Sequence, residues 1–236
     1  MCRADAITVV SETTAADVRA TFGDSMTLPP IFVVYPAVGE HFLTLSVNDT
    51  EQLRVKYALP ARFMLSVGTF EPRKNLHRLL DAYAMLDETL RAQCPLLLVG
   101  EKGWLADGIV TKLNTVRHVR WLGYVAEADM PSLYQLADVF IYPSLFEGFG
   151  MPIVEALAVG TRVITSNRGA MKEAAAGQAD LVNPEDTLAI SKLLAEVITC
   201  TNIHSDSRLV NRQPLSVHTW RERKSAMLSI LYQMSD

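Results

Sequence analysis

Cysteine is scarce in this chain. Cys2, Cys94 and Cys200 are the only three in 236 residues, an odd and scattered set that supports neither a disulfide framework nor a zinc-ligand pattern. A reducing cytoplasm is the simplest compartment for such a chain. The five histidines, His41, His77, His118, His204 and His218, show no metal-ligand spacing and suggest no Ser-His-Asp or Cys-His set, so no metal is expected. A surplus of one charge is missing as well. The 22 Lys+Arg stand against 26 Asp+Glu, for a formal net charge of -4 and no block of like charge. Nucleic acid is therefore not an expected partner, and any phosphate recognition has to come from a local site. No apolar run approaches the roughly 20 residues needed to cross a bilayer. The opening MCRADAITVV lacks the basic, apolar and small-residue segments of a secretion signal. The expectation is a cytoplasmic globular protein, with contact at the inner membrane face limited to a peripheral, amphipathic surface.

What is present is an alternation of short apolar runs with helix-period segments. Strands are expected at Ala6–Val10, Ile31–Tyr35, Phe63–Val67, Leu96–Val99, Val119–Leu122, Val139–Tyr142 and Arg162–Thr165. Nearly continuous apolar runs such as PLLLVG and DVFIYPS suit strands covered on both faces, with the intervening helices as covers. The fold class that follows is α/β, a doubly wound parallel sheet of Rossmann-like kind. In NLHRLLDAYAML, the residues Leu76, Leu79, Leu80, Tyr83 and Leu86 recur at helical spacing behind Asn75, a candidate N-cap. MPSLYQLAD reads in the same way, and a last amphipathic helix is expected from His218 to about Gln233. Thr201 to Val217 is polar and weakly patterned, the composition of a linker. Residues 1–35 read as a strand and helix with a crossover, 36–200 as the main domain, and 201–236 as linker and terminal helix.

Chemistry concentrates in LFEGFGMPIVEAL, where Glu147 and Glu155 stand with seven residues between them. Pro152 suits the first position of a short helix and Gly160 the position just past its end. The N–H groups of Gly150, Met151 and the first turn would then open at the carboxyl edge of the sheet, a setting that favours an anion. Glu147 falls in the loop and Glu155 in the first helical turn. Carboxylates beside a phosphate would repel it, so their targets are hydroxyl pairs flanking the phosphates. A nucleotide sugar offers that layout. The alternative reading makes Glu147 a solvated loop residue and Glu155 an exposed helix position. SVGTFEPRKNL places Arg73 and Lys74 before a helix, where cations are disfavoured unless an anion compensates them. Gly68 allows close backbone approach there. Glu101, Lys102 and Trp104 lie on the same edge, and Tyr124 with Val125 can line a base pocket. Trp104 and Trp121 are expected in the core.

In order along the chain, GTFEPRKNL, VGEKGW, LGYV, LYQLADVFIYPSLFEGFGMPIVEALAVGTRVITSN and LVNPED resemble the donor-binding half of a retaining glycosyltransferase of family 4, with the GT-B fold. The variants GTFEPRKNL and GEKGW are most similar to its mannosyltransferase-like branch. The resemblance implies transfer of a sugar from a nucleotide diphosphate donor, GDP-mannose or a UDP-sugar, to a hydroxyl of a glycan or lipid-linked acceptor in polysaccharide or glycoconjugate biosynthesis. No metal cofactor is implied, since cationic side chains and a helix N-terminus would neutralise the leaving diphosphate.

Carried over position by position, Lys74 and Arg73 match the basic pair on the diphosphate. Glu147 matches the glutamate facing the donor sugar, and Glu155 the one on the ribose hydroxyls. Gly148, Phe149 and Gly150 match the backbone near the sugar and distal phosphate, with Met151 opening the helix behind them. Thr69 stands where many relatives have arginine after the glycine matching Gly68, which puts more weight on Arg73. AMKEAAAG replaces a common SLPEV-like segment, which leaves sugar contacts from that loop open. DAITVVSETTAADV resembles the last strand and helix of the family's acceptor-binding half. The resemblance thus predicts a chain that works with a missing N-terminal domain or partner chain. The alternatives are a nucleotide-sugar binding module without catalysis of its own, an inactive gene fragment, or an epimerase-like nucleotide-sugar enzyme, the last disfavoured by the combination of PRKN with paired glutamates.

Overall fold

The computed structural model describes residues 4–44, 50–104, 107–199 and 218–233. Six parallel strands, β3 (Met64–Val67), β4 (Leu96–Val99), β5 (Val119–Gly123), β6 (Val139–Tyr142), β7 (Val163–Ser166) and β8 (Asp180–Val182), form one sheet in the order β5-β4-β3-β6-β7-β8. The order reverses between β3 and β6. That reversal sends the loops after these two strands to opposite faces and opens a crevice at their carboxyl ends.

Alternation along the strands builds two cores. Met64, Leu96, Leu98, Val139, Ile141 and Ile164 face one side, where they meet Leu76, Leu79, Leu80 and Tyr83 of α3 (Leu76–Ala84) and Ile190, Leu194 and Val197 of α9 (Thr187–Thr199). Leu65, Leu97, Val99, Phe140, Tyr142 and Val163 face the other. There they pack with Leu133 and Tyr134 of α6 (Met130–Leu136), Ile153 and Leu157 of α7 (Met151–Ala158), and Met171, Ala174 and Ala175 of α8 (Gly169–Ala175). With both faces covered, the strands carry apolar residues at nearly every position. Shorter helices α2 (Thr50–Lys56), α4 (Glu88–Gln93) and α5 (Asp107–Leu113) complete the layers.

At the amino end, β1 (Ile7–Val9) pairs in parallel with β2 (Ile31–Val33) around α1 (Glu12–Phe22). The terminal helix, α10, runs from Trp220 to Gln233 with Ile230 buried. The stretch read as a linker, 201–217, lies outside the described residues.

Three expectations need correction. Asn75 holds the N-cap position of α3, but its side chain makes no capping bond: it sits in the left-handed region at φ 60°, and its Nδ2 donates to the carbonyls of Pro143 (3.0 Å) and Pro184 (2.7 Å). It ties the crevice loops together instead. Strand β8 was not anticipated, because three residues beginning with an aspartate carry little strand pattern. Its Asp180 accepts from buried Arg162 at 2.8 Å, the residue expected to begin β7. Trp104 and Trp121 are exposed at 60% and 39%, so neither is core. Trp121 packs against Phe70 at its edge of the sheet, with tilted rings whose centroids are 5.1 Å apart, and donates Nε1–H to the carbonyl of Gly100 at 2.8 Å.

Candidate active site

The crevice is built by the loops that follow β3, β4, β5 and β6. After β3 the chain turns at Gly68 (φ 147°) and runs into a short 3-10 turn, Pro72–Lys74. The β4 loop turns at Gly100 (φ 133°), where a Cβ would lie 2.2 Å from the Gly68 carbonyl oxygen. Only glycine lets these backbones approach so closely. The β6 loop is fastened to the first by the Leu145 N–H, which donates to the Arg73 carbonyl at 2.8 Å.

Where the loops meet, Glu147 collects its partners. Lys74 Nζ donates to Oε1 at 2.7 Å, Tyr142 Oη–H donates to the same oxygen at 2.8 Å, and Arg73 Nη1 is paired with Oε2. Arg73 also donates from Nε to Glu71 at 2.8 Å. Lys74 Nζ lies over the Tyr142 ring, 4.7 Å from its centroid. The Glu147 and Lys74 side chains are only 9% and 10% exposed, so Glu147 is not a solvated loop residue. Burial works against its charge, yet hydrogen bonds from Lys74 and Tyr142 and the two cations hold its carboxyl below the usual range. Burial also lowers the Lys74 ammonium from its ordinary value, with Glu147 pulling the other way. The geometry revises the expected picture: the two cations lie against one of the glutamates, and a diphosphate reaching them has to replace part of that pairing.

Glu155 stands apart. It is on the second turn of α7, not the first, because the helix begins at Met151 and Pro152 is its second residue. Tyr134 Oη–H donates to its Oε2 at 3.0 Å. Burial raises its pKa above the ordinary carboxylate value, the Tyr134 bond offsets part of this, and Glu127 adds to it. The expected alternative of an exposed helix position does not hold. Glu155 lines an open cavity of about 420 Å³ with Gly68 and Thr69 of the β3 loop, Glu101 of the β4 loop, and Tyr124 and Val125 after β5. Tyr124 is 71% exposed on its rim, and Val125 is buried.

Between cavity and ion cluster lies the turn into α7. Gly150 is buried with φ 106°, a conformation that suits glycine, and the first N–H groups of the helix have no helical acceptor. Gly148 is exposed on this turn and Phe149 half buried, its ring 5.7 Å from that of Tyr35. Sequence reading missed Tyr142 and Tyr134, the hydroxyl partners of the two glutamates. Both sit on apolar patterns, and a tyrosine in such a pattern under a polar loop is the available signal. Among the described residues no group of three or more His, Cys, Asp or Glu side chains is placed to hold a metal ion.

Comparison with known proteins agrees with this arrangement. The family model described as "Glycosyl transferases group 1" matches residues 49–213. "O-antigen chain mannosyltransferase B" of Escherichia coli is 41% identical over 132 residues, covering 55% of this chain and 35% of that protein. "Serotype-specific mannosyltransferase WbdA" of the same organism is 30% identical over 204 residues, covering 84% of this chain and 25% of its own length. This chain therefore spans about a third and a quarter of the lengths of these two relatives. Among solved structures, Anabaena Alr3699/HepE in complex with UDP and glucose superposes with a TM-score of 0.74 at 20% identity, over 99% of this chain and 63% of that one.

Proposed function

The chain belongs to the group 1 glycosyl transferases, and from that premise we propose that it forms the donor half of a retaining transferase that takes a sugar from a nucleotide diphosphate donor. The observation that carries the reading is the placement of two carboxylates on either side of the turn into α7, with Arg73 and Lys74 held against one of them, at the strand-order reversal. The base enters the cavity beside Tyr124 and Val125. Glu155 accepts both ribose hydroxyls, a task for which a carboxylate has the lone pairs. Arg73 and Lys74, with the first N–H groups of α7, take the diphosphate, Arg73 as a fork and Lys74 as a point charge. Glu147, freed from part of its pairing, turns to the hydroxyls of the donor sugar.

In the reaction the bond between the anomeric carbon and the diphosphate oxygen breaks, a bond from an acceptor hydroxyl oxygen forms on the same face, and the nucleoside diphosphate and the hydroxyl proton are released. The charge that develops on the leaving diphosphate is stabilised by Arg73, Lys74 and the helix N-terminus, which are in place before reaction. The names of the two relatives above favour mannose, so GDP-mannose is the first candidate donor and a UDP-sugar the second. A glycan or lipid-linked acceptor would bind opposite these loops, on a second domain or partner chain. The parallel pair β1–β2 supports that arrangement, because a parallel sheet of two strands is normally part of a larger one.

Calorimetric titration of the folded chain with GDP, UDP, GDP-mannose and UDP-glucose tests the proposal. Binding of one nucleoside diphosphate series is the expected result. A folded chain that binds none of the four contradicts it.

A further inference from the structure

The Glu147 loop is held from outside the large sheet. Ser11, fully buried at the N-cap of α1, donates its hydroxyl to the Gly148 carbonyl at 2.7 Å and accepts from the Thr14 N–H at 3.0 Å. Thr14 Oγ1 donates to the same Gly148 carbonyl at 3.1 Å. Val10 closes over this point, with its Cγ2 3.5 Å from where a Gly148 Cβ would be. The start of α1 is in turn clamped by α8. Glu173 accepts from the N–H groups of Glu12 (2.8 Å) and Thr13 (3.2 Å) and from Thr13 Oγ1 (3.0 Å).

The position of these bonds matters more than their number. Gly148 follows Glu147 directly, and a glycine peptide rotates freely unless its polar groups are pinned. In the free protein Glu147 is also aimed by Lys74, Arg73 and Tyr142. A diphosphate that draws off the two cations removes most of that support just when the carboxylate has to meet the sugar. The Gly148 carbonyl remains outside this exchange.

We propose that Ser11 and Thr14 are positioning residues for Glu147, fixing the Gly148 peptide so that the carboxylate stays directed at the donor sugar once the diphosphate has taken Arg73 and Lys74. This rests on the donor-site reading above and extends it to α1, a segment outside the large sheet. It makes sugar recognition, and not diphosphate recognition, depend on α1. The latch is a pair of hydroxyl groups, so methyl replacement removes it with little change in volume.

The test is titration of the parent, Ser11→Ala, Thr14→Val and Thr14→Ser with GDP and GDP-mannose, and with UDP and UDP-glucose if that series is the one bound. The parent is expected to prefer the nucleotide sugar. In Ser11→Ala and Thr14→Val that preference falls about fivefold for each hydrogen bond lost, while affinity for the diphosphate stays at the parental value and so reports an intact fold. Thr14→Ser, which keeps the hydroxyl, retains the preference. If the variants keep the parental ratio, or lose both ligands in equal measure, α1 does not position Glu147 and the inference is wrong while the donor-site reading stands. A parent that binds the diphosphate without preferring its sugar overturns the inference alone. A parent that binds neither ligand overturns both.

Discussion

Replacing Glu155 by glutamine exchanges one carboxylate oxygen for an amide nitrogen at a position where folding and binding make opposite demands. Burial raises the Glu155 pKa above its ordinary value. A carboxyl whose folded-state pKa lies above its unfolded value costs folding free energy once the pH exceeds the unfolded value. The neutral amide removes that cost, and its oxygen still accepts the Tyr134 hydroxyl that lies 3.0 Å from Oε2. Thermal stability should therefore stay level or rise. Binding should move the other way. Hydrogen bonds to a charged acceptor contribute about 1.5–3 kcal/mol each, and the amide offers one acceptor oxygen where the carboxylate offered two. Loss of one ribose hydroxyl bond weakens binding by about 10- to 100-fold. Because the ribose is common to every ligand, the loss should be equal for the nucleoside diphosphate and its sugar conjugate. Calorimetry paired with a melting curve measures both signs. Unchanged affinity removes Glu155 from the ribose site, and a melting temperature lowered by several degrees shows that its charge supports the fold.

Lys74→Ala should lower affinity for a nucleoside diphosphate while leaving that for the bare nucleoside nearly unchanged, and equal losses would point to misfolding of the β3 loop. Removing this cation leaves Glu147 with Arg73 and Tyr142, so the accompanying loss of stability should be about 1–3 kcal/mol, read from denaturant titration. Gly100→Ala would force a Cβ to within 2.2 Å of the Gly68 carbonyl at φ 133°. It should cost stability on the order of 1–3 kcal/mol and abolish nucleotide binding through displacement of the cavity wall, both visible in one thermal-shift series with and without ligand. The pH dependence of stability should carry the mark of Glu147. Its folded-state pKa lies below the ordinary 4.5, so its contribution is complete above that value and is lost as pH falls through the lower one. The stability difference between the parent and Glu147→Gln should accordingly shrink in acid, and a difference that grows there would contradict the ion cluster.

The parallel sheet was legible because strands covered on both faces carry apolar residues at nearly every position, as LLLV and VFIY do. The order of the site segments was legible too, since each chemical motif follows directly on such a run. Features decided by approach in three dimensions were not. The pairing of Arg73 with Glu147 joins residues 74 apart in the chain, and only the adjacency of β3 and β6 brings them together. The alternative of an exposed Glu155 stood open because a lone glutamate in a helix usually is exposed, and its burial depends on the cavity wall supplied by three other loops. Asn75 has the residue type and position of a cap, yet its amide nitrogen donates to two proline carbonyls from distant loops and its Oδ1 accepts from the Arg78 guanidinium. Strand β8 escaped notice because three residues give no period to detect. The exposed tryptophans misled for a related reason: Trp121 lies on β5, an edge strand, where one side of a large aromatic stays in water.

The most direct test of the account is a crystal structure of the chain with the nucleotide sugar that it binds most tightly. The account predicts the ribose hydroxyls on Glu155, the diphosphate between Arg73, Lys74 and the start of α7, and the Glu147 carboxylate turned from Lys74 toward the sugar. A ligand seated elsewhere, or a diphosphate bound away from Arg73 and Lys74 with Glu147 still holding both, would contradict it.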